Sequence, residues 1–238
     1  MSDQTSKYFD NNTSFYNHST IYSYDYYFLE FIKTHHKPQS YFLDIGGGSG
    51  IFAAFLINNC PDIEVTVLDP SLKMLSIIDD IRIKKVQGKL PDLAQLHSKY
   101  DYIHLKEVLH HVTGSSINKS KELLCDSLLS IKKYIKDNGF VFIHELFYES
   151  YLIPSLSRNM IFNLLTVQNK LKIKIPVSES LMGLSVCFYT RFELETLLKY
   201  CGFRIIEKRE EYWEDTWKKR TALLKNWGRM LFILEIDR

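Results

Sequence analysis

Glycines and carboxylates are grouped between residues 44 and 69 in a pattern that suits a small charged ligand. The run Asp44-Ile-Gly-Gly-Gly-Ser-Gly50 follows a short apolar segment, and its glycines allow a tight turn that brings backbone N–H groups close to a ligand. The spacing D-x-G-x-G-x-G differs from the dinucleotide fingerprint G-x-G-x-x-G, because Ile51 stands where the last glycine is needed. Asp44 would repel a pyrophosphate but attract a sulfonium that also carries an ammonium group. Asp69 lies roughly 20 residues further on, where a carboxylate can accept both ribose hydroxyls. The pattern therefore favours S-adenosylmethionine over NAD.

Histidines follow two later apolar runs. His110 and His111 come just after the run at 100–105, and His144 with Glu145 comes after the run at 140–143. If both runs are parallel strands of one sheet, these side chains share its carboxyl edge, where such sheets bind ligands. We therefore predict that His110, His111 and His144 are catalytic candidates that contact an acceptor or remove its proton. The alternative is that the Leu-His-His segment only packs against the next helix. Adjacent histidines seldom ligate one ion well, so no metal site is predicted.

The elements that position these residues alternate along the chain. β-branched and apolar runs predict strands, helical spacing of leucine and isoleucine predicts helices, and Thr190 with Glu193 forms a capping box. Alternation of this kind implies a mostly parallel sheet with right-handed crossovers. The predicted strands are 40–45, 64–69, 83–87, 100–105, 140–143, 203–208 and 230–236. The predicted helices are 51–59, 70–78, 119–136 and 190–201. Asn138-Gly139 is predicted to end the third helix.

Composition narrows the class of protein. The chain of 238 residues is 45% hydrophobic and 24% charged, which is typical of a globular enzyme. The net charge of +2 comes without a run of basic residues, so a nucleic-acid substrate is disfavoured. The four cysteines form no C-x-x-C pair, which favours a reducing compartment and argues against a disulfide framework or a zinc site. Because no signal peptide and no apolar run of membrane-spanning length is found, we expect a cytoplasmic protein.

Several segments resemble a known family. FLDIGGGSGIF resembles motif I of class I S-adenosylmethionine-dependent methyltransferases, and VTVLDPSLKML resembles their motif II. The segment ending in KEVLHHV is similar to the fourth-strand motif of the group that includes ubiquinone and menaquinone C-methyltransferases. FYTRFELETLLKYCGF is similar to the helix before the sixth strand in the same group. The resemblance spans about residues 8–208, and it is more specific for cofactor and fold than for substrate.

The resemblance implies roles for individual residues. The methionine end of the cofactor is held through water by Asp44 and by the backbone of Gly46 and Gly48, and the ribose is held by Asp69. The remaining implied contacts are Pro70 and Met74 at the adenine face, Gly88, Lys89 and Leu90 at the adenine edge, the backbone near Lys106 at the ammonium group, and Tyr16 in a lid over the cofactor. The family often carries an Asp where this chain has Lys89. Either Asp92 or a main-chain contact is expected to take its place.

We accordingly predict one α/β domain over 1–238, a Rossmann-like, doubly wound, seven-stranded sheet whose last strand is antiparallel. Residues 1–39 are expected to form an N-terminal helical lid, 40–146 the cofactor-binding core, 147–188 an apolar substrate cap and 189–238 the C-terminal part of the sheet. The predicted function is methyl transfer to the O, N or C atom of a small hydrophobic or aromatic metabolite, with S-adenosylhomocysteine as product. The alternatives are a tRNA or protein methyltransferase and a non-methylating protein that binds S-adenosylmethionine. The insertions at 147–188 and 213–227 could instead form a homodimer interface.

Overall fold

The computed structural model describes residues 7–8, 10–11, 20–172, 184–214 and 223–237. Strands and helices alternate through most of this chain. The strands are β1 (Tyr41–Ile45), β2 (Glu64–Asp69), β3 (Ile83–Gln87), β4 (Tyr100–Lys106), β5 (Ile135–Ser150), β6 (Phe203–Tyr212) and β7 (Leu224–Ile236). The helices are α1 (Ser23–His35), α2 (Ile51–Asn59), α3 (Leu72–Ile77), α4 (Ile117–Tyr134), α5 (Leu156–Leu171) and α6 (Arg191–Tyr200), with a short 3₁₀ turn at Leu109–His111.

All seven strands form one sheet in the order β3-β2-β1-β4-β5-β7-β6. The pairs from β3 to β5 are parallel, whereas β7 runs antiparallel to both β5 and β6. The predicted seven-stranded Rossmann-like sheet with an antiparallel last strand is confirmed. Strand order reverses between β1 and β4, so a crevice opens at the carboxyl ends of these strands, where ligands bind in folds of this type.

Two apolar layers cover the sheet. Helices α1 and α2 pack on one face, where Phe28 and Leu56 are fully buried, and α4 and α6 pack on the other, where Leu128 and Leu198 are buried. Successive residues of a strand point to opposite faces. On β5, Phe142 therefore belongs to the α1–α2 layer and its neighbours Val141 and Ile143 to the α4–α6 layer. Two polar side chains that are neighbours in a strand therefore face different layers at the carboxyl edge.

The strands at the antiparallel end are longer than predicted. Strand β5 covers 16 residues and β7 covers 13, although the apolar runs predicted only 140–143 and 230–236. The two strands stay paired from Val141↔Leu234 to Ser150↔Leu224, so the backbone pairing continues beyond the apolar runs. For the same reason β6 extends to Tyr212 instead of ending at 208. The predicted stop at Asn138-Gly139 is also wrong, since α4 ends at Tyr134 and both residues lie within β5.

The helix boundaries agree more closely with the sequence patterns. Helix α2 has the predicted bounds, and α6 begins after the predicted capping box, in which the Glu193 N–H donates to Thr190 and the Thr190 N–H donates to Glu193. Within 147–188, which the sequence assigned to no regular element, the structure contains α5, while 173–183 lie outside the described residues. In the part of the chain that the structure describes, no helix is both long and apolar enough to cross a bilayer.

Candidate active site

The glycine-rich turn between β1 and α2 forms the floor of the crevice. Gly46 and Gly48 both have positive φ angles, +72° and +55°, which other L-residues adopt only with strain. The Gly46 N–H donates to the Leu68 carbonyl at 2.7 Å and joins the turn to β2. A Cβ on Gly46 would lie 2.5 Å from a methyl carbon of Val108, and a Cβ on Gly48 would lie 3.1 Å from the Met74 methyl carbon. A side chain at Gly46 would therefore have to displace Val108, and one at Gly48 would crowd Met74.

Asp44 pairs with a histidine that the sequence analysis did not select. The two strands place Asp44 directly beside His104 in register, and their side chains meet with 2.8 Å between Oδ1 and Nδ1. Both side chains are buried beneath the glycine turn. The residues are 60 positions apart, and only the parallel register of β1 and β4 brings them together. The pair fixes the orientation of the Asp44 carboxylate at the position implied for the methionine end.

Asp69, at the end of β2, is a buried carboxylate that binds the glycine turn. Its Oδ2 accepts the Gly48 N–H at 3.0 Å and its Oδ1 accepts the Ser71 N–H at 2.8 Å. Burial raises the pKa of Asp69 to about 6, an effect that these two N–H donors reduce and the Asp44 carboxylate increases. Each oxygen can accept a further hydrogen bond. The group can therefore receive a ligand diol at the place where the sequence predicted a ribose contact.

The residues predicted for the adenine side lie around the same carboxylate. Met74 is buried against Gly48, and Pro70 is buried beside it at the start of α3. Ser71 caps α3 by accepting the Met74 N–H and also donates to the carboxylate of Asp10, so the N-terminal segment reaches this site.

The segment after β3 forms the far side of this region. The Gly88 N–H donates to the Asp69 carbonyl at 3.1 Å, and the Gln95 side chain lies over Gly88. Lys89 forms a backbone bridge with Asp92, whose carboxylate accepts the Ala94 N–H at 3.1 Å. Leu90 is buried in the core. Gln95, which the motif comparison did not single out, therefore lies against Gly88, whereas the Asp92 carboxylate binds the backbone of Ala94.

A cluster of aromatic and charged side chains borders the crevice at the end of β4. The Lys106 ammonium lies 3.1 Å from the buried carboxylate of Asp25 and about 5 Å from the ring centres of Tyr22 and Tyr24. Because these three residues come from the start of α1, the N-terminal region packs over the predicted ammonium contact. Tyr16 lies outside the described residues.

His110 and Glu145 form a buried acid–imidazole pair, in which Glu145 comes from the side of β5 that faces α4 and α6. The His110 Nδ1 lies 2.5 Å from a Glu145 oxygen. The Glu145 carboxylate also accepts the backbone N–H groups of Leu109, His110 and Leu146 at 2.7, 3.3 and 2.8 Å. Burial by itself lowers the pKa of His110, but the Glu145 charge and hydrogen bond outweigh it, so the pKa is raised above its ordinary value. The imidazole is thereby held in one orientation with Nε2 as its remaining proton acceptor.

The other two candidate histidines have different surroundings. The His111 ring lies beside His110 with 4.1 Å between ring centres and is tilted by 46° to it. Burial, followed by the charge of His110, holds the pKa of His111 well below the ordinary value. His144 is fully buried on the α1–α2 face and stacks on Tyr24 at 3.8 Å. Neither ring nitrogen of His144 has a hydrogen-bond partner among the described residues, and burial, then Arg229 and Lys106, hold its pKa well below the ordinary value. The structure therefore separates His144 from the His110–Glu145 pair.

An apolar cluster covers His110. The Phe188 ring stacks on His110 with 5.2 Å between centres, and Tyr148 packs on Phe188 at 4.2 Å. The buried members of this cluster come from β5, α5 and the segment before α6: Leu146, Leu165, Leu184, Val186 and Phe188. The Cys187 N–H donates to the His110 carbonyl at 2.8 Å, which fastens the segment to the 3₁₀ turn. Most of this cluster belongs to the predicted cap at 147–188.

The residues present fit S-adenosylmethionine. The turn at residues 46–49 is partly exposed at the carboxyl edge, and the buried carboxylate of Asp69 beside it has one N–H donor at each oxygen and can accept further hydrogen bonds. No cluster of His, Cys, Asp and Glu in the described part of the chain is arranged to hold a metal ion.

Comparison with known proteins defines the class. Residues 16–208 match the family described as "Methyltransferase domain", so the chain belongs to this family. Together with the fold and the site, this makes it a class I S-adenosylmethionine-dependent methyltransferase. None of the curated proteins compared with the chain matches its sequence.

Solved structures share the fold at low sequence identity. The CcbJ methyltransferase from Streptomyces caelestis aligns over 100% of both chains with a TM-score of 0.65 and 12% identity. The YcgJ protein from Bacillus subtilis aligns over 90% of this chain and 99% of its own, with a TM-score of 0.57 and 14% identity. The mitomycin 7-O-methyltransferase MmcR aligns over 83% of this chain but only 49% of its own, with a TM-score of 0.52 and 15% identity.

Proposed function

We propose that this methyltransferase acts on a small hydrophobic or aromatic metabolite whose O–H or N–H acceptor group loses its proton to a base of the protein during the transfer. The observation that carries the proposal is the placement of the His110–Glu145 pair directly beneath the apolar cluster of Phe188 and Tyr148. An apolar wall with one oriented polar group is the usual composition of a small-molecule site. The net charge of +2 and the lack of a basic run favour such an acceptor over tRNA.

The residues around the crevice at the carboxyl edge have different roles. When bound, S-adenosylmethionine supplies an electrophilic methyl group on its sulfonium sulfur. Asp69 and the turn at Gly46 and Gly48 would hold the cofactor, and the main contribution of these residues would be to position it against the acceptor. His110 Nε2 accepts the proton that an O–H or N–H acceptor loses, while Glu145 holds the ring and stabilises the imidazolium. His111, with its lowered pKa, stays neutral and packs beside the base.

The segments around the site have complementary roles in this proposal. Leu184, Val186 and Phe188, the buried part of the segment before α6, form the wall that selects the acceptor, because they pack with Leu146 of β5 and Phe188 lies on His110. We assign the role of a lid to the N-terminal segment, and the contacts of Asp10 with Ser71 and of Asp25 with Lys106 support this assignment.

The first experiment is calorimetric titration of the wild type and Asp69→Ala with S-adenosylmethionine and S-adenosylhomocysteine. We expect binding by the wild type that Asp69→Ala abolishes. A panel of phenols, aromatic amines and non-aromatic acids is then incubated with a methyl-labelled donor. We expect label in a phenol or an amine, and a loss of rate of about 10²-fold or more in His110→Gln with unchanged cofactor affinity. Methylation of the acids alone, or full activity of His110→Gln, would refute the acceptor and base assignments.

A further inference from the structure

Two of the four cysteines lie in contact although they are far apart in the sequence. Cys125 is in the middle of α4 and Cys201 is the residue that ends α6, 76 positions later. Their sulfur atoms are 2.7 Å apart, and the Cys201 Sγ also lies 4.0 Å from the Cys125 carbonyl oxygen. Both are free thiols. A disulfide has an S–S distance of about 2.05 Å, so bond formation would need a movement of only about 0.7 Å.

The contact follows from the way α4 and α6 pack side by side. Near the start of both helices, the Lys121 ammonium lies 2.7 Å from the Glu193 carboxylate. Near their ends, the Lys132 side chain lies over Gly202, next to Cys201. The two sulfurs meet between these contacts, so the alignment of the helices is determined on both sides of the cysteine pair. The thiols are therefore held together by the fold.

We propose that Cys125 and Cys201 are a redox modification site, which a small-molecule disulfide converts reversibly into an intramolecular disulfide bond. The Cys125 thiolate attacks one sulfur of the small disulfide, forms a mixed disulfide and releases one thiol. The Cys201 thiolate then attacks the Cys125 sulfur and releases the second thiol. Two protein thiols are oxidised and one small disulfide is reduced to two thiols, so electrons and protons balance.

The exposure of the two side chains sets the order of the steps. Cys125 is half-buried and can be reached from solvent, whereas Cys201 is only 3% exposed. Burial, followed by the contact with Cys125, raises the pKa of Cys201, and the nearby Lys132 opposes this shift. Cys201 is therefore slow to react on its own but suited to resolve a mixed disulfide on Cys125. Cys60 and Cys187 are both buried.

The bond would close a ring that contains β5, α5 and the apolar segment over His110. Closing a ring of this length restricts the unfolded chain more than the folded one. For a chain of this size, the oxidised protein should unfold about 10 °C above the reduced protein. Oxidation should leave cofactor affinity unchanged, because α4 and α6 pack on the face of the sheet opposite to α2, which follows the glycine turn.

The test uses the whole protein, reduced or equilibrated with oxidised glutathione, then alkylated and digested for mass spectrometry. We expect a peptide linked through Cys125 and Cys201, alkylation of Cys60 and Cys187, and a melting temperature that rises by about 10 °C and returns with dithiothreitol. Cys125→Ser should lose both the linked peptide and the shift, whereas the matched variant Cys60→Ser should keep both. A stable glutathione adduct without the linked peptide, a linkage between molecules, or four unmodified thiols in the wild type would overturn the proposal.

Discussion

Replacing Glu145 by glutamine should destabilise the protein, and more strongly in acid than in base. The carboxylate accepts four hydrogen bonds from buried N–H groups, two at each oxygen. An amide presents an NH₂ group in place of one oxygen, so two buried donors lose their acceptor. Each buried donor without an acceptor lowers the free energy of unfolding by about 1–3 kcal/mol. Because removal of the buried charge offsets part of this cost, we expect a net loss of about 3 kcal/mol near neutral pH. The melting temperature should fall by about 10 °C.

The pH dependence follows from the pKa of His110. In the wild type this pKa is raised, so the stability it contributes is fully present below about 6.5 and is lost as the pH rises through the folded-state pKa. In Glu145→Gln only burial remains, the pKa falls below that of the unfolded chain, and stability is lost as the pH drops below about 6.5. The difference in unfolding free energy between the two proteins should therefore grow by about 1 kcal/mol or more between pH 6.5 and 5.5.

Urea unfolding at pH 5.5 and 8.0 measures this difference, and an NMR titration of the imidazole resonances reports the pKa of His110 directly. Glu149→Gln is the matched control, because this carboxylate lies on the same strand and accepts bonds from Arg191 without a histidine partner. Its destabilisation should be equal at both pH values, since the lowered pKa of Glu149 titrates below this range. If the loss in Glu145→Gln is independent of pH, or the pKa of His110 does not fall, the assigned pairing is wrong.

Three further predictions concern the cofactor side of the sheet and the third histidine. Because the pKa of Asp69 is raised to about 6, wild-type affinity for S-adenosylmethionine should fall about tenfold between pH 7 and pH 5, and in Asp69→Asn it should be weak at both; calorimetry that shows no pH dependence would contradict this. Gly48→Ala should weaken cofactor binding through its methyl group and positive φ, whereas Gly202→Ala, with a similar φ of +77° far from the turn, should lose only stability. Since burial holds the pKa of His144 well below its ordinary value, wild-type stability is lost as the pH falls below about 6.5. His144→Phe should keep activity and reduce that loss in melting curves, and an inactive, folded variant would instead place His144 in contact with the acceptor.

Local signals in the sequence predicted much of the cofactor half. The bounds of β2, β3 and α2 agree with prediction. The signals that set these bounds are local, because apolar and β-branched runs end at nearby glycine, proline or aspartate residues. The acidic group at Asp69 and the glycine turn also follow from residue type and spacing alone. The resemblance of these motifs to those of class I methyltransferases indicates the cofactor and the family.

The lengths of β5 and β7 could not be predicted in the same way. Their outer halves are paired to each other although they are not continuously apolar, so the pairing partner, and not the local composition, determines where they end. The role of Asn138-Gly139 was misassigned for a related reason, because a turn signal in the chain can be accommodated inside a strand that its neighbours hold in place.

The contacts between side chains that are distant in sequence depend on the tertiary structure alone. The pairs Asp44–His104, His110–Glu145 and Cys125–Cys201 join residues 60, 35 and 76 positions apart. Spacing along the chain carries no signal for such contacts, since they depend on strand register and helix packing. His144 and Glu145 are neighbours in sequence and were grouped at one edge, yet strand alternation sends one to each face. The sequence by itself determines what kind of ligand the chain binds. Only the fold determines that His110, and not His111 or His144, pairs with the Glu145 carboxylate.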